Sequence, residues 1–151
     1  MPITLPTLSL PKVAITIVGL GPGAVDAISL AGWQAIAEAT SLIVRTHHHP
    51  CVPSLPQQAL ESCDDLYEAH AAFQDVYRAI CERVIERVLT RGSVTRESVV
   101  YCVPGSPWVG EQTTGLILKR AAAIGLSTHV IEAPSFVASC FAAVGVDLMD
   151  G

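Results

Sequence analysis

Two short segments rich in glycine and proline carry the chemistry that this sequence could perform. Gly19-Leu-Gly-Pro-Gly-Ala24 follows one apolar run, and Pro104-Gly-Ser-Pro107 follows another. Glycine lets a ligand approach the peptide backbone directly, and proline fixes φ and so stiffens a loop. We therefore expect these segments, called the first and second glycine loops below, to share one preorganised binding edge.

Each glycine loop is expected at the carboxyl end of a buried strand. Ala14–Val18 and Ser98–Val103, which precede the loops, are short apolar runs that stop at glycine or proline. Further apolar runs and capped or amphipathic segments predict more strands and several helices. The other strands are Ser41–Arg45 and Ser127–Ile131, and the helices are Leu30–Ala39, Phe73–Thr90 (ended by Arg91-Gly92), Glu111–Ile124 and Ser135–Val144. Alternating strands and helices predict an α/β fold with a mostly parallel sheet flanked by helices, which binds ligands at the carboxyl ends of its strands.

The composition argues against several classes of protein. The chain has 151 residues, a net charge of −5 and only 15% charged residues, which does not fit a basic nucleic-acid-binding surface. No apolar run approaches the roughly 18 residues of a membrane span, and no secretion signal is evident. Five scattered cysteines are typical of buried free thiols. We expect a cytoplasmic protein that binds a small molecule, without a nucleic-acid or membrane partner.

Two other kinds of site fail on spacing. Gly19–Ala24 fits the dinucleotide pattern GxGxxG/A, but the expected helix N-cap, Ser29, lies several residues beyond it. Pro22 also lacks a backbone donor, so the loop suits a ligand without a phosphate, and a nicotinamide enzyme remains an alternative based on this loop alone. His47-His48-His49 are adjacent, and no cysteine or carboxylate stands at metal-ligand spacing from them. We therefore expect a solvated histidine loop and no metal.

Together these features resemble the tetrapyrrole (corrin/porphyrin) methylase family, from Ala14 to the last residue. The segments that carry the resemblance are Gly19-Leu-Gly-Pro-Gly23, Asp26-Ala-Ile-Ser-Leu30, Ala39-Thr-Ser-Leu-Ile43, Gly105-Ser106-Pro107, Pro134-Ser135-Phe136 and Gly145-Val-Asp147. Within the family, the chain is most similar to the methylase-like domain that precedes a MazG nucleotide pyrophosphohydrolase domain in two-part bacterial proteins. The marks of that subgroup are Arg45-Thr46, His49-Pro50 and Val103-Pro-Gly-x-Pro107.

The resemblance implies a methyltransferase that binds S-adenosylmethionine between two αβ domains. The implied cofactor contacts are Gly21, Pro22, Gly23, Gly105, Ser106, Val109, Ser135 and Phe136. Arg45 and His49 are the candidate contacts to the substrate, a tetrapyrrole or related small molecule. No catalytic residue is assigned, because methyl transfer from a sulfonium depends mainly on positioning.

One departure from the family pattern leaves a second function open. The aspartate of the family's GDP segment is Ser106 here, and serine offers only a weak hydrogen bond to a positively charged amino group. The alternative is a non-catalytic ligand-binding or regulatory module joined to a MazG-type nucleotide pyrophosphohydrolase.

The predicted organisation is that of a fragment. We expect a leader over residues 1–12, an N-terminal αβ domain over 13–126, and a truncated start of the second αβ domain over 127–151. On this interpretation a MazG domain could follow in the full-length protein, and the fragment alone would bind the cofactor poorly. A homodimer is also expected, because the apolar composition and the missing domain predict an exposed apolar surface.

Overall fold

The computed structural model describes residues 4–91 and 98–149. The strands in this part of the chain are β1 (Ile15–Gly19), β2 (Ser41–Val44), β3 (Leu60–Ser62), β4 (Val99–Val103) and β5 (Thr128–Ile131). The α-helices are α1 (Leu30–Ala37), α2 (Asp64–Ala69), α3 (Phe73–Arg91), α4 (Gln112–Ala123) and α5 (Phe136–Val144). Short 3-10 helices lie at Val25–Ala27, Val52–Ser54 and Gln57–Ala59.

The five strands form one parallel sheet in the order β3-β2-β4-β1-β5. β4 lies between β1 and β2, with Val99 paired to both Ile15 and Ser41. Every residue of β1, β2 and β4 is buried, because helices cover both faces of the sheet. The predicted α/β fold with a parallel sheet is therefore confirmed.

The core consists of two apolar layers, one on each face of the sheet. Ile17 and Tyr101 face the layer formed with α3 and α4, where they join Ile80 and Ile117. The next residue of β1, Val18, belongs to the opposite layer, which includes residues of α1. Successive strand residues point to opposite faces of a sheet, so each strand contributes to both layers.

The main difference from the predicted elements lies between β2 and α3. No strand or helix is predicted between Arg45 and Phe73, but Leu60–Ser62 forms the edge strand β3 and α2 begins at Asp64. β3 has only three residues, all half-buried, so it carries no clear hydrophobic period. The other boundaries shift by only one or two residues. The predicted helix end at Gly92 lies outside the described residues.

Two segments at the predicted domain boundaries pack against the sheet domain. Within the leader, the backbone of Leu8 exchanges hydrogen bonds with the Gln34 side chain of α1, at 2.8 and 2.7 Å. At the other boundary, β5 pairs with β1, so the sheet continues past residue 126. None of the described helices is long and apolar enough to cross a membrane.

Candidate functional site

The two glycine loops meet at the carboxyl edge of the sheet. Because β1 and β4 are neighbours, the loops that follow them leave the sheet side by side. The Gly21 amide donates to the Gly105 carbonyl at 3.1 Å, and the Gly105 amide donates to the Gly21 carbonyl at 2.8 Å. The expectation that both loops share one edge is confirmed.

Gly21 and Gly105 both have left-handed backbone angles, but their surroundings differ. Their φ angles are 75° and 68°, which favour glycine over any residue with a Cβ atom. A Cβ added at Gly21 would lie 2.3 Å from the Cβ of Ala27, whereas one added at Gly105 would meet nothing within 4 Å. Gly105 therefore presents bare backbone to open space, and Gly21 is packed.

Gly19 is the point where three segments of the carboxyl edge pack together. A Cβ added there would lie 2.7 Å from Cδ of Pro107 and 2.8 Å from the Cβ of Ala133. These atoms belong to the segments after β4 and β5. Only a residue without a side chain lets the two segments approach β1 so closely. The glycine at position 19 therefore determines how closely the three segments pack at this edge.

His49 supports the first glycine loop from the interior. Its side chain is buried, and its Nε2 lies 3.0 Å from the Gly21 carbonyl oxygen, which can only accept. The other ring nitrogen, Nδ1, accepts from the Cys51 amide at 3.4 Å and lies 3.0 Å from the Cys51 sulfur. These contacts assign the ring proton to Nε2, where it is donated to Gly21. Burial raises the pKa of the Cys51 thiol, so that group remains protonated.

A 3-10 turn and a capped helix follow the first loop. Trp33 donates its indole N–H to the Val25 carbonyl at 3.2 Å, which holds the 3-10 turn against α1. The Ser29 hydroxyl accepts from the Gly32 amide at 3.1 Å and caps α1. The predicted N-cap is confirmed. The glycines do not open directly into a helix, so the phosphate-binding geometry of a dinucleotide fold is absent from this loop.

Ser106 closes the turn of the second glycine loop. Its side chain is buried, and its hydroxyl oxygen accepts from the Trp108 amide at 3.2 Å. Trp108 and Val109, which follow Pro107, are exposed. The hydroxyl hydrogen is what Ser106 can still offer a ligand, so this loop supplies no negative charge.

A cleft separates the first glycine loop from α5. This helix cleft has a volume of about 360 Å³, and its lining residues are Pro22, Gly23, Ala24, Asp26, Ala27 and Ser139. Ser135 and Phe136 lie at the start of α5, and Phe136 is on the same helix face as Ser139. The sequence reasoning did not count Asp26 as a site residue, although it provides a carboxylate beside Pro22 and Gly23.

A second cleft lies beside the ends of β2 and β4. This strand cleft has a volume of about 530 Å³, and its lining residues are Arg45, Thr46, His48, Asp64, Tyr67, Glu68 and Pro104. Arg45 thus lies next to the second glycine loop, whereas His49 lines neither cleft. The two candidate substrate contacts are therefore in different environments.

Arg45 is held by partners that the sequence did not reveal. Its Nε donates to the Tyr67 hydroxyl at 2.8 Å, and its Nη1 forms an ion pair with the buried Glu111 carboxylate. The guanidinium also lies over the Tyr77 ring, 5.4 Å from its centre. Burial opposes the charge of Arg45, but Glu111 and Tyr67 outweigh it and hold the pKa of Arg45 above its ordinary value.

The network continues from Glu111 into the core. Glu111 caps α4 by accepting from the Thr113 amide at 2.8 Å, and the Thr113 hydroxyl lies 2.9 Å from that of Tyr101 on β4. Arg45 is therefore a fixed, charge-compensated cation at the edge of the strand cleft.

The histidine loop acquires a carboxylate from a distant part of the chain. Asp64 accepts from the Thr46 hydroxyl at 2.6 Å and from the His47 amide at 2.9 Å. Burial alone would raise the pKa of Asp64, but these two hydrogen bonds and one from the Ser62 hydroxyl outweigh it and lower the pKa to about 2. The spacing argument against a carboxylate near His47 and His48 is wrong, because β3 and α2 return the chain to this loop.

The comparison with protein families identifies the class of this protein. The model of the tetrapyrrole (corrin/porphyrin) methylases matches residues 14–151, and the chain belongs to this family. It is also 33% identical over 139 residues to the uncharacterized protein YabN of Bacillus subtilis (strain 168). The match covers 91% of this chain but only 27% of YabN, so the chain spans about a quarter of that relative.

Two solved structures share the fold. A crystal structure of diphthine synthase matches with a TM-score of 0.61 and 23% identity over 88% of this chain and 49% of that one. The uroporphyrin-III-C-methyltransferase of Thermus thermophilus matches with a TM-score of 0.68 and 18% identity over 91% and 55%. At these identities the matches establish the fold, and this chain corresponds to about half of each structure.

Proposed function

We propose that this chain is the N-terminal portion of an S-adenosylmethionine-dependent methyltransferase of the tetrapyrrole methylase type. The observation that carries the proposal is the pairing of Gly21 with Gly105 at the carboxyl edge, with open space beside the Cα atom of Gly105. Ligands bind at this edge in open α/β sheets. Family membership and the shared fold of the uroporphyrin-III-C-methyltransferase of Thermus thermophilus support this interpretation.

The residues at this edge fit the proposed cofactor. S-adenosylmethionine, when bound, supplies an electrophilic methyl group on a sulfonium. Gly23 and Gly105 leave space for a ligand against the backbone, since a Cβ at either would meet nothing within 4 Å. The proposed contacts are Gly21, Pro22, Gly23, Gly105, Ser106, Val109, Ser135 and Phe136. Of these, Gly21 acts by shaping the loop rather than by leaving room for the ligand.

Asp26 is proposed to supply the negative charge that Ser106 does not. Its carboxylate lines the helix cleft together with Pro22 and Gly23. A carboxylate there would favour the positively charged amino or sulfonium group of the cofactor. Asp26 therefore joins the proposed cofactor contacts.

The substrate is proposed to enter through the strand cleft. Arg45 lines this cleft next to Pro104, so it can contact a tetrapyrrole or related small molecule that approaches the second glycine loop. His49 is buried and donates to Gly21, so we propose that it acts by positioning the first loop. The substrate's own nucleophilic atom would attack the methyl group, and alignment by the two loops is the contribution of the protein.

Calorimetric titration of the full-length protein with S-adenosylmethionine tests the cofactor proposal. We expect binding, and at least about tenfold weaker binding by Asp26→Asn, since a charge-assisted hydrogen bond contributes about 1.5–3 kcal/mol. Asp75→Asn removes an exposed carboxylate on α3, away from both clefts, and should bind as the parent does. No binding by the folded full-length protein would refute the proposal, and binding of NADPH instead would favour the nicotinamide enzyme.

A second candidate function is a non-catalytic ligand-binding or regulatory module joined to a MazG-type nucleotide pyrophosphohydrolase. The observation that favours it is the Ser106 hydroxyl, which closes its own turn and leaves the second loop without a carboxylate. Binding of S-adenosylmethionine together with methyl transfer to a precorrin supports the enzyme. Binding without transfer to any tetrapyrrole acceptor supports the module.

The exposed helix α5 is the basis for our proposals about the assembly of the whole protein. No residue of α5 is buried, and Phe136 is 57% and Val144 69% exposed. An apolar helix of this kind is suited to an interface. We propose a cytoplasmic homodimer whose full-length chain carries the second αβ domain and a C-terminal MazG domain, and light scattering of the full-length protein measures its oligomeric state.

A further inference from the structure

We propose that His47, His48 and Asp64 form a binding site for a divalent transition-metal ion, with zinc as the best match. The imidazole nitrogens of the two histidines and a carboxylate oxygen of Asp64 all lie within 4.8 Å of one another. A single ion of about 2.0–2.2 Å bond length can therefore be reached by all three after small side-chain rotations. The evidence for this site does not depend on the proposed methyltransferase function, although His48 and Asp64 line the strand cleft proposed for the substrate.

The sheet explains how residues far apart in sequence come together. The histidines follow β2, and Asp64 begins α2 directly after β3. β2 and β3 are parallel neighbours, with Val44 opposite Ser62, so their carboxyl ends lie side by side. The site therefore rests on two adjacent strands rather than on the loop alone.

Asp64 is already oriented and charged for binding a cation. The Thr46 hydroxyl donates to Oδ1 at 2.6 Å, and the His47 amide, at 2.9 Å, and the Ser62 hydroxyl both donate to Oδ2. These bonds hold the carboxylate in place beside the His47 ring, whose Nδ1 lies 2.5 Å from Oδ2. Hydrogen-bonded partners of this kind commonly orient metal ligands.

Two imidazoles and one carboxylate are a ligand set suited to zinc. The His47 and His48 ring centres lie 4.2 Å apart, so both rings occupy the same side of the loop. Three protein ligands leave the fourth position of a tetrahedral ion free. Because His48 and Asp64 line the strand cleft with Arg45, this free position would face the cleft and accept water or a small anionic group.

Without a metal ion, the contacts of Asp64 with Thr46 and His47 would serve only to hold the histidine loop against the start of α2. In that case His47 would donate from Nδ1 to Asp64. The exposed His48 would contribute its amide, which donates to the Thr46 hydroxyl at 3.1 Å, and a ring contact with His47, but no ring nitrogen to bind Asp64 or an ion. His48 is therefore the residue that separates the two interpretations. Its replacement should leave the fold intact, which thermal unfolding of the variant can verify.

Titration of the reduced, metal-free chain with Zn²⁺ by calorimetry, and with Co²⁺ by visible absorption, tests the site. We expect one ion per chain and the intense absorption bands of Co²⁺ with four or five ligands. His48→Gln and Asp64→Asn should each weaken Zn²⁺ binding at least about tenfold, the lower end of the effect of losing a supporting contact.

Two matched controls test donors that lie away from the site. Cys140→Ser removes the exposed thiol, and His129→Gln removes a histidine on β5, at the opposite edge of the sheet. Both should bind Zn²⁺ as the parent does. Absence of stoichiometric binding, or equal affinity of the parent and His48→Gln, would overturn the proposal, whatever the outcome with S-adenosylmethionine.

Discussion

The two glycine loops have the same backbone conformation at their central glycines but opposite surroundings. Gly21 is buried against Ala27, and its carbonyl accepts from both His49 and Gly105. Gly105 has open space where a side chain would be. The first loop is therefore packed at Gly21, whereas the second has open space beside the Cα atom of Gly105, although the Gly105 amide and carbonyl are both bonded to Gly21.

This difference separates two uses of glycine at one sheet edge. A packed glycine is needed for the fold, and its replacement should affect stability first. Replacing a glycine next to open space adds only backbone strain to the folded state. Such a replacement should mainly weaken the binding of a ligand. The predictions below test this division, beginning with the largest expected effect on stability.

Gly21→Ala should destabilise the domain much more than Gly105→Ala. Both substitutions force an alanine to positive φ, which costs about 1–2 kcal/mol. At Gly21 the new Cβ would also overlap with Ala27, and overpacking adds about 1–3 kcal/mol. In urea unfolding, we expect the free energy of unfolding to fall by about 3–4 kcal/mol for Gly21→Ala and by about 1 kcal/mol for Gly105→Ala. Equal losses for the two variants would show that the loops do not differ as described.

His49→Ala should lower the free energy of unfolding by about 2 kcal/mol. The substitution removes a buried side chain and its hydrogen bonds to Gly21 and Cys51, and such a loss costs about 1–3 kcal/mol. The Gly21 carbonyl keeps its bond from Gly105, which limits the effect. His70→Ala removes an exposed histidine and should stay within about 0.5 kcal/mol of the parent. If His49→Ala were as stable as the parent, the first glycine loop would not depend on His49 for its conformation.

Asp64→Asn should reduce the acid sensitivity of the domain. The pKa of Asp64 is about 2 in the fold, below its ordinary value of 3.8, so its contribution is present above about pH 4 and lost as the pH falls toward 2. We expect the loss to be at most about 1 kcal/mol, because solvent screens a partly exposed group. Arg83 lowers the pKa of Asp65 in the same way, so the slope should decrease rather than vanish.

Thr46→Val provides the matched control for this experiment. It keeps the Asp64 carboxylate but removes the hydroxyl that donates to it. Its unfolding free energy, measured between pH 2 and 5, should show a slope between those of the parent and Asp64→Asn. Identical slopes in all three proteins would mean that Asp64 does not secure the loop that carries His49.

The fold could be predicted because its elements carry local signals. The apolar runs that stop at Gly19 and Pro104 indicated buried strands, and the serine before Leu30 indicated a helix N-cap. β3 and α2 were missed because a three-residue edge strand lacks a hydrophobic period and buries little surface. A short edge element takes its structure from its neighbour β2, which the local sequence does not show.

Only those parts of the candidate site that directly follow a strand could be predicted from the sequence. The glycine loops were found, but their contact depends on β1 and β4 being neighbours, which follows from the sheet order. The partners of Arg45, and the carboxylate near His47, come from segments 17 to 66 residues away. Such pairings leave no periodic signal, so sequence reasoning placed Arg45 at the edge without finding Glu111.

Gly23→Ala should have the smallest effect on stability, and it tests the division within the first loop itself. Gly23 does not have a positive φ, and a Cβ there would meet nothing within 4 Å, so we expect a change within about 0.5 kcal/mol in urea unfolding. Gly23 lines the helix cleft, so the same methyl group should weaken binding of S-adenosylmethionine by the full-length protein. Gly115→Ala, at an exposed position of α4 with no atom near its Cβ, is the control and should stabilise by about 0.5–1 kcal/mol without changing that affinity. If Gly23→Ala were destabilised, Gly23 as well as Gly21 would be needed for the fold, and the first loop would not be divided as described. If the variant were stable and bound S-adenosylmethionine with the affinity of the parent, Gly23 would not be a cofactor contact.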